Sequence, residues 1–232
     1  MADTQKTFTL RVVVQMMLLV FAAPLIPMIM SGQWRWWQAW AYAIASALAF
    51  IVSRVIAGRR HPDLIAERAR FMQAKDTKPW DKVLAPLLGI GSILVLAVIG
   101  LDRFYGWSTA FSTAANVVGL IGVLVGYAFS SWALIENRFF SGTVRIQTER
   151  GHHVISTGPY RIVRHPGYAG GLFGYVFIPI LLDSLWAFIP TALLCIIMIV
   201  RTALEDKTLQ EELPGYQEFT QKTKYRLFPG VW

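Results

Sequence analysis

Residues 151–170 read GHHVISTGPYRIVRHPGYAG, and this polar stretch separates two strongly apolar parts of the chain. It contains three of the four histidines of the protein, together with two arginines and two tyrosines. Such a concentration of titratable and aromatic groups beside apolar segments indicates a loop that either binds a ligand or folds back onto the protein. The sequence on either side indicates what kind of protein contains the loop.

The composition indicates an integral membrane protein. The chain has 232 residues, of which 55% are hydrophobic and only 16% are charged, and its mean hydropathy is +0.46. A soluble domain of this size has about 25% charged residues. The apolar residues also form long runs instead of alternating with polar ones at helical or strand spacing. We therefore predict an all-α protein that crosses the membrane several times.

The apolar runs predict about six transmembrane helices, since one span needs about 20 mostly apolar residues. Four runs meet this requirement: Leu10–Met30, Trp37–Ala57, Val83–Leu101 and Ala115–Ile135. A fifth apolar region, Tyr168–Val200, is too long for one span and is interrupted at Leu182-Asp183-Ser184. We predict a tight helical hairpin there, with one arm near Tyr168–Leu182 and the other near Leu185–Arg201.

The positive charges predict the orientation of the chain. Basic residues concentrate after the second span, after the fourth span and in the tail, whereas the opposite side has only Arg35 and Arg103. The positive-inside rule therefore places both termini and the polar loops in the cytoplasm. This distribution accounts for the net charge of +8 without a nucleic-acid partner. Membrane lipids are the partners it predicts.

Two further features complete the predicted organisation. The lone cysteine, Cys195, lies in an apolar run, which excludes a disulfide within the chain and a thiolate metal site, so we predict no metal. The polar stretch 61–82 after the second span predicts a short interfacial helix. We expect one membrane domain over 1–232, in which 1–136 form four membrane helices and 137–232 form the loop, the hairpin and the tail.

Three clusters bear the candidate chemistry. Arg164-His165-Pro166-Gly167-Tyr168 begins a helix, whose free N–H groups can hold an anion, although a simple helix start with basic residues is equally compatible. Arg201 and Glu205 share one helix face, and the hairpin returns them to the side of His165. A bare pair of this kind is usually a weak surface salt bridge, so its position is what matters. The tail, residues 211–229, reads as an amphipathic segment on the lipid headgroups.

These clusters, in their order, resemble the isoprenylcysteine carboxyl methyltransferase family and the related phospholipid methyltransferases. The similarity covers about the last 95 residues and rests on four motifs: GPYR (158–161), RHPGY (164–168), R-x3-E-D (201–206) and G-Y…Y-R…P (215–229). The resemblance implies an integral membrane enzyme that uses S-adenosyl-L-methionine. It also implies a lipophilic substrate that enters from the bilayer and a cofactor that enters from the cytoplasm.

The resemblance also implies roles for particular residues. Arg201 would be the catalytic residue that contacts the substrate. The cofactor-binding residues would be Gln147, His152, His153, Val154, Ile155, Tyr160, His165, Pro166, Gly167, Tyr168 and Glu205. Asp206 departs from the family pattern, because a second glutamate is common there. The spacing from Gln147 to His152 is also shorter than in the family.

The most direct function is O-methylation of a carboxylate on an isoprenylcysteine-like lipid, but three alternatives stay open. A phospholipid or other amine could be the acceptor, and it would need a base such as Glu205 or His165. Membrane sterol-type reductases share a similar C-terminal organisation and use a nicotinamide. A transporter or scaffold could use the basic loop to bind anionic lipids, although the predicted spans hold almost no charge.

Overall fold

The computed structural model describes residues 18–69 and 76–232, and the regular structure in these two ranges is helical. A π turn, Leu18–Ala22, and a 3₁₀ turn, Ala23–Leu25, lead into the first α-helix. The α-helices are α1 (Ile26–Ser31), α2 (Trp37–Arg60), α3 (Pro62–Ala69), α4 (Asp81–Tyr105), α5 (Thr113–Glu136), α6 (Pro166–Leu181), α7 (Phe188–Glu212) and α8 (Tyr216–Lys222). Two 3₁₀ turns, Thr148–Arg150 and Gly158–Arg161, shape the polar loop between α5 and α6.

Four of these helices, α2, α4, α5 and α7, are long and apolar enough to cross a membrane. Two shorter apolar helices, Val20–Ser31 and Pro166–Leu181, coincide with the other two predicted spans. The prediction of an all-α membrane protein is confirmed, while the count of six crossings stays a prediction. Residues 10–17 of the first predicted span lie outside the described residues.

The hairpin turn lies where the sequence predicts it, between α6 and α7. Asp183 adopts a left-handed conformation there, with φ of 57°, which is uncommon for a residue other than glycine. Its carboxylate accepts hydrogen bonds from the backbone N–H of Phe111 and from Asn116 Nδ2, both at 2.8 Å, and from Gln38 Nε2 at 3.1 Å. The turn is therefore tied to the starts of α2 and α5.

Glycines let α5 and α6 pack backbone against backbone. A Cβ atom added at Gly126 of α5 would lie 2.6 Å from the Cα of Gly174 and 2.7 Å from the carbonyl oxygen of Gly170. Small residues permit this close approach between membrane helices, where van der Waals contact replaces hydrophobic driving force. Ser130 of α5 also donates a hydrogen bond to the carbonyl of Gly167 at 3.0 Å. The first turn of α6, which bears the second polar motif, is thereby held against α5.

The elements outside the predicted spans differ in part from their predictions. The short helix expected within 61–82 is present as α3, Pro62–Ala69. The tail packs onto the protein through the buried side chains of Tyr216, Phe219 and Leu227, which the sequence did not predict, while its position on the headgroups stays a prediction. The polar loop supplies the surface that buries these side chains, and a local sequence pattern does not reveal that surface.

Gly126→Ala should destabilise the protein by about 1–3 kcal/mol, because the added methyl group meets backbone atoms that cannot move aside. Thermal unfolding in one detergent measures the effect. Gly89→Ala in α4 is the matched control, since a Cβ atom at Gly89 meets nothing within 4 Å. If the two variants have equal stability, α5 and α6 are not packed as described.

Candidate active site

The polar loop, the start of α6, the second half of α7 and α8 enclose a cavity of about 220 Å³. Every site residue predicted from the sequence lines it except Pro166, which is buried at the first position of α6. The predicted residues in its wall are Gln147, His152, His153, Val154, Ile155, Tyr160, His165, Gly167, Tyr168, Arg201 and Glu205. The structure thus brings the histidines of the loop and the Arg201–Glu205 pair into one site.

Asp206 anchors the back of this site and is fully buried. Its Oδ1 accepts a hydrogen bond from Arg164 Nε at 2.7 Å and lies 3.1 Å from His165 Nε2, and its Oδ2 accepts from Arg164 Nη2 at 3.0 Å. Burial opposes the charge of Arg164, but the hydrogen bonds to Asp206 outweigh burial and raise the pKa of the guanidinium. A buried carboxylate needs this kind of partner to remain ionised.

The tail supplies further partners of Asp206. Arg226 Nε donates to Oδ2 at 2.7 Å, and the Tyr216 hydroxyl donates to Oδ1 at 3.0 Å. Arg164 also donates from Nη1 to the carbonyls of Thr223 and Lys224, at 3.0 and 2.6 Å. The sequence left open whether Arg164 holds an anionic ligand. In the structure its donors bond Asp206 and two carbonyls of the tail.

A second buried ion pair holds Arg201. Its Nε donates to Asp81 Oδ1 at 2.6 Å, and its Nη2 donates to Asp81 Oδ2 at 3.0 Å and to the carbonyl of Gly142 at 3.0 Å. Asp81 is the first residue of α4 and also accepts from the backbone N–H of Val144 at 2.6 Å. The pair therefore joins α4, α7 and the beginning of the polar loop.

This pairing changes how Arg201 can act. Asp81 occupies the edge formed by Nε and Nη2, which is the edge that normally grips a carboxylate through two parallel hydrogen bonds. A carboxylate ligand would therefore meet the remaining donor of Arg201, Nη1. In the described part of the chain, no acceptor pairs with Nη1.

Tyr168 and Glu205 form the polar wall next to Arg201. The Tyr168 hydroxyl donates to Glu205 Oε2 at 2.6 Å, and the Tyr168 ring lies 5.5 Å from the guanidinium carbon of Arg201. A cation, a carboxylate and an aromatic ring are consequently neighbours on one side of the cavity. This set can bind a zwitterionic group and a positively charged sulfur.

The opposite wall is the histidine loop. The His152 and His153 rings pack on Phe139, with ring centroids 4.6 and 4.9 Å from it. Burial, followed by the positive charges of His153, Arg150 and Arg145, lowers the pKa of His152 to about 4. Because its Nδ1 accepts from the backbone N–H of Gln147 at 3.3 Å, the neutral ring has its proton on Nε2. His152 therefore offers a neutral donor at neutral pH.

Two other predicted residues are engaged within the loop and its surroundings. Gln147 donates from Nε2 to the carbonyl of Phe139 at 2.7 Å and accepts from Arg150, so both ends of its amide shape the loop. Tyr160 accepts a hydrogen bond from Asn137 Nδ2 at 3.1 Å, and burial raises the pKa of its hydroxyl. The Tyr160 ring is thus a neutral aromatic surface in the cavity wall.

Sequence reasoning missed Asp81 and the central place of Asp206. Asp81 lies 120 residues from Arg201, and no local pattern links the two. Asp206 follows Glu205 directly in the R-x3-E-D motif, and the resemblance assigned the functional role to Glu205 instead. The available signal was an acidic residue next to an apolar helix, in a chain that has more basic than acidic residues.

Comparison with known proteins finds a family match over the region that contains this cavity. The model of the isoprenylcysteine carboxyl methyltransferase family matches residues 117–211, which include the polar loop, α6 and nearly all of α7. The predicted resemblance is confirmed. Two relatives, each described as a probable protein-S-isoprenylcysteine O-methyltransferase, come from Oryza sativa subsp. indica and subsp. japonica. Each is 40% identical over 58 residues, which is 25% of this chain and 30% of the relative's length.

A solved structure shares the fold over nearly the whole chain. It is the eukaryotic intramembrane Ras methyltransferase, an isoprenylcysteine carboxyl methyltransferase, determined without a monobody. The TM-score is 0.51 with 17% sequence identity, and the match covers 97% of this chain and 88% of the other. At this identity the likeness concerns the fold alone, and it places the four N-terminal helices in the same architecture as well.

Asp206→Asn should lower the free energy of unfolding by about 3–5 kcal/mol, because it leaves buried arginines without their counter-ion. The tail should also become sensitive to limited proteolysis, since Asp206 holds Arg226 of the tail and orients Arg164, which donates to the tail carbonyls of Thr223 and Lys224. Glu211→Gln is the matched control in the same helix, because its exposed pair with Lys207 spans 3.8 Å and should contribute under about 0.5 kcal/mol. Equal stability of the two variants would contradict the proposed anchor.

The stability of the protein should fall as the pH drops from about 6.5 to about 4, in part through His152. The unfolded histidine has a pKa of about 6.5, and the folded value is about 4, so the unfolded chain binds more protons in this window. The stabilisation is fully present above pH 6.5 and is lost as the pH falls through 4. Melting temperatures of wild type and His152→Asn at pH 7.5 and 4.5 test this. Identical pH dependence of both proteins would refute it.

Proposed function

We propose that the protein is an S-adenosyl-L-methionine-dependent membrane methyltransferase that O-methylates the carboxylate of an isoprenylcysteine-like lipid. The observation that supports this most directly is the shared cavity, which joins the histidine loop to Arg201 and Glu205 inside the region matched by the family. We further propose that the chain forms one domain, with both termini and this cavity on the cytoplasmic side. The basic loops and tail support that orientation.

The residues of the cavity fit the chemical groups of the cofactor. The Tyr160 and Tyr168 rings suit a positively charged sulfur, which is attracted to aromatic faces. The carboxylate of Glu205 suits an ammonium group, and the Nε2–H of His152 suits a hydrogen-bond acceptor. When bound, the cofactor supplies an electrophilic methyl group on sulfur. The roles of Pro166 and Gly167 are to begin α6 and to leave space beside Phe140.

A carboxylate acceptor matches the groups that this cavity offers. An α-carboxyl group has a pKa of about 3.5 and is already ionised at neutral pH, so it needs no general base. It needs removal from water and a fixed direction of approach. Nη1 of Arg201 can supply both a charge and a direction, because Asp81 and Gly142 prevent the guanidinium from rotating. Fixed orientation of two reactants can lower a barrier by several kcal/mol.

The lipid part of the acceptor would reach the site from the bilayer. Its hydrocarbon is insoluble in water, and the outer faces of α4, α5 and α7 are apolar and exposed. The loop and tail line the other side of the cavity, where the cofactor would enter from the cytoplasm, so the reactants would approach from different directions. The alternatives of amine methylation, nicotinamide-dependent reduction and lipid-binding scaffold have no specific supporting observation in the described residues.

Calorimetry with S-adenosylhomocysteine and with NADPH tests the proposal first. We expect the purified protein to bind the former and not the latter. A screen with a radiolabelled methyl donor then compares prenylcysteine analogues with amine lipids. A carboxylate acceptor should give a rate without a rising acidic limb above pH 5, whereas an amine acceptor should require deprotonation.

Arg201→Lys should reduce turnover by about a hundredfold or more while the affinity for S-adenosylhomocysteine changes by less than about threefold. A lysine has three N–H donors on one nitrogen, so it cannot bond both oxygens of Asp81 and the carbonyl of Gly142 and still present a donor to the acceptor. Arg161→Lys is the control, since Arg161 is an exposed arginine of the same loop region. A loss of cofactor binding equal to the loss of turnover would show that Arg201 acts on the structure of the site.

A further inference from the structure

A second cavity, of about 440 Å³, lies between α2, α4, α5 and α6. Most of its wall is aliphatic or aromatic, and hydroxyl groups of Ser46, Ser92, Tyr127 and Tyr175 interrupt it. Two hydrogen bonds between these hydroxyls, Ser46 with Tyr127 at 3.2 Å and Ser92 with Tyr175 at 2.6 Å, keep them paired. Among the described wall residues, Arg54 is the single charged one.

Arg54 lies inside the membrane helix α2 and has no anionic partner in the ranges 18–69 and 76–232. Its Nη1 donates to the neutral hydroxyl of Ser53 at 3.0 Å, and its guanidinium carbon lies 3.8 Å above the Phe50 ring. Phe50 is one turn nearer the start of α2, whereas the basic end of the helix is at Arg59 and Arg60. The guanidinium therefore turns back along the helix, away from that basic end, and does not snorkel toward it.

A second arginine increases the positive potential at this place. Arg68 of α3 contacts Phe140, which lines the same cavity as Arg54. Its Nη1 donates to the carbonyl of Phe140 at 3.1 Å, and its guanidinium carbon lies 5.3 Å from the Phe140 ring. No described carboxylate pairs with Arg68 either. Two guanidinium groups in a low-dielectric region are stabilised when an anion lies between or beside them.

We propose that this cavity binds the acid head of a single-chain anionic amphiphile, with Arg54 as the counter-ion of the head. The charge selects a carboxylate or phosphate, and the aliphatic wall along α2 and α4 accommodates the first part of a hydrocarbon chain. The hydroxyl pairs would face any neutral polar group near the head. A volume of about 440 Å³ suits one chain better than the two chains of an ordinary phospholipid.

Phe140 connects this cavity with the candidate active site, because its side chain lines both. The ring lies against α6, where a Cβ atom added at Gly167 would come within 2.7 Å of it. An acid bound beside Arg54 and Arg68 would therefore lie near the wall of the first cavity. The binding inference itself requires no methyl transfer and is tested without the cofactor.

The test uses the full chain in nanodiscs of phosphatidylcholine, with dodecanoate and dodecanol as probes and empty nanodiscs as the blank. Calorimetry should show that wild type binds dodecanoate at least tenfold more tightly than dodecanol. Arg54→Gln should weaken dodecanoate binding about ten- to hundredfold and leave dodecanol unaffected, as expected for the loss of charge-assisted hydrogen bonds. Equal affinity of wild type for acid and alcohol would overturn the proposal.

Arg59→Gln is the matched control, because it removes the same charge from an exposed position of the same helix. A loss of dodecanoate binding equal to that of Arg54→Gln would overturn the proposal, since it would show a general surface effect. Arg54→Lys keeps the charge and should retain most of the affinity. If Arg54→Gln unfolds, Arg54→Lys and the comparison of acid with alcohol on wild type still test whether the cavity binds an acid head at Arg54.

Two competition arms identify the source of the acid. Displacement of dodecanoate by N-acetyl-S-farnesylcysteine would assign the site to a prenylated carboxylate, which is the proposed methyl acceptor. Suppression of binding in nanodiscs that contain phosphatidylglycerol would overturn the single-chain proposal, because that acidic lipid has two chains. If neither competes, binding of dodecanoate that depends on Arg54 still supports the proposal and assigns the site to another single-chain acid. Failure to bind S-adenosylhomocysteine would refute the proposed function and would leave this result unchanged.

Discussion

The buried carboxylate of Asp206 is the constraint on which the site depends. It joins α7, the start of α6 and the tail, because its two oxygens receive donors from Arg164, Tyr216 and Arg226 and orient the ring of His165. A buried charge of this kind contributes little net stability compared with well-packed apolar residues. Its effect is on specificity, since few arrangements of the loop and tail satisfy all of these donors at once.

Helix geometry explains how α7 serves two purposes. Arg201 and Glu205 are four residues apart and share the face that meets the cavity, whereas Asp206 is rotated by about 100° toward the tail. Asp81 orients Arg201 from the neighbouring helix in the way that Asp206 orients His165. Arg201 and His165 are therefore each held by a buried acid that does not line the cavity. Such support is what keeps a binding group in place without help from the ligand.

The features predicted from the sequence are those that local patterns encode. Apolar runs predicted the helices α2, α4, α5 and α7, and the Leu182-Asp183-Ser184 interruption predicted the hairpin. Eleven of the twelve site residues implied by the family resemblance line the cavity. Asp81 and the packed tail escaped prediction, because their contacts join positions far apart in the chain and depend on charges that pair only after folding. Patterns that repeat along one helix contain no information about such partners.

Arg54 shows another limit of prediction from the sequence, because its position was visible in the sequence but its role was not. The predicted span Trp37–Ala57 contains it, yet one arginine hardly changes the hydropathy of a run of this length. Its meaning depends on the surroundings that the fold provides: a cavity wall, the Phe50 ring and a second arginine in place of a carboxylate. A charge at the end of a span can reach the headgroups at little cost, whereas a charge directed into a cavity cannot. The direction of the guanidinium, rather than its position in the sequence, is therefore the evidence that something anionic belongs beside it.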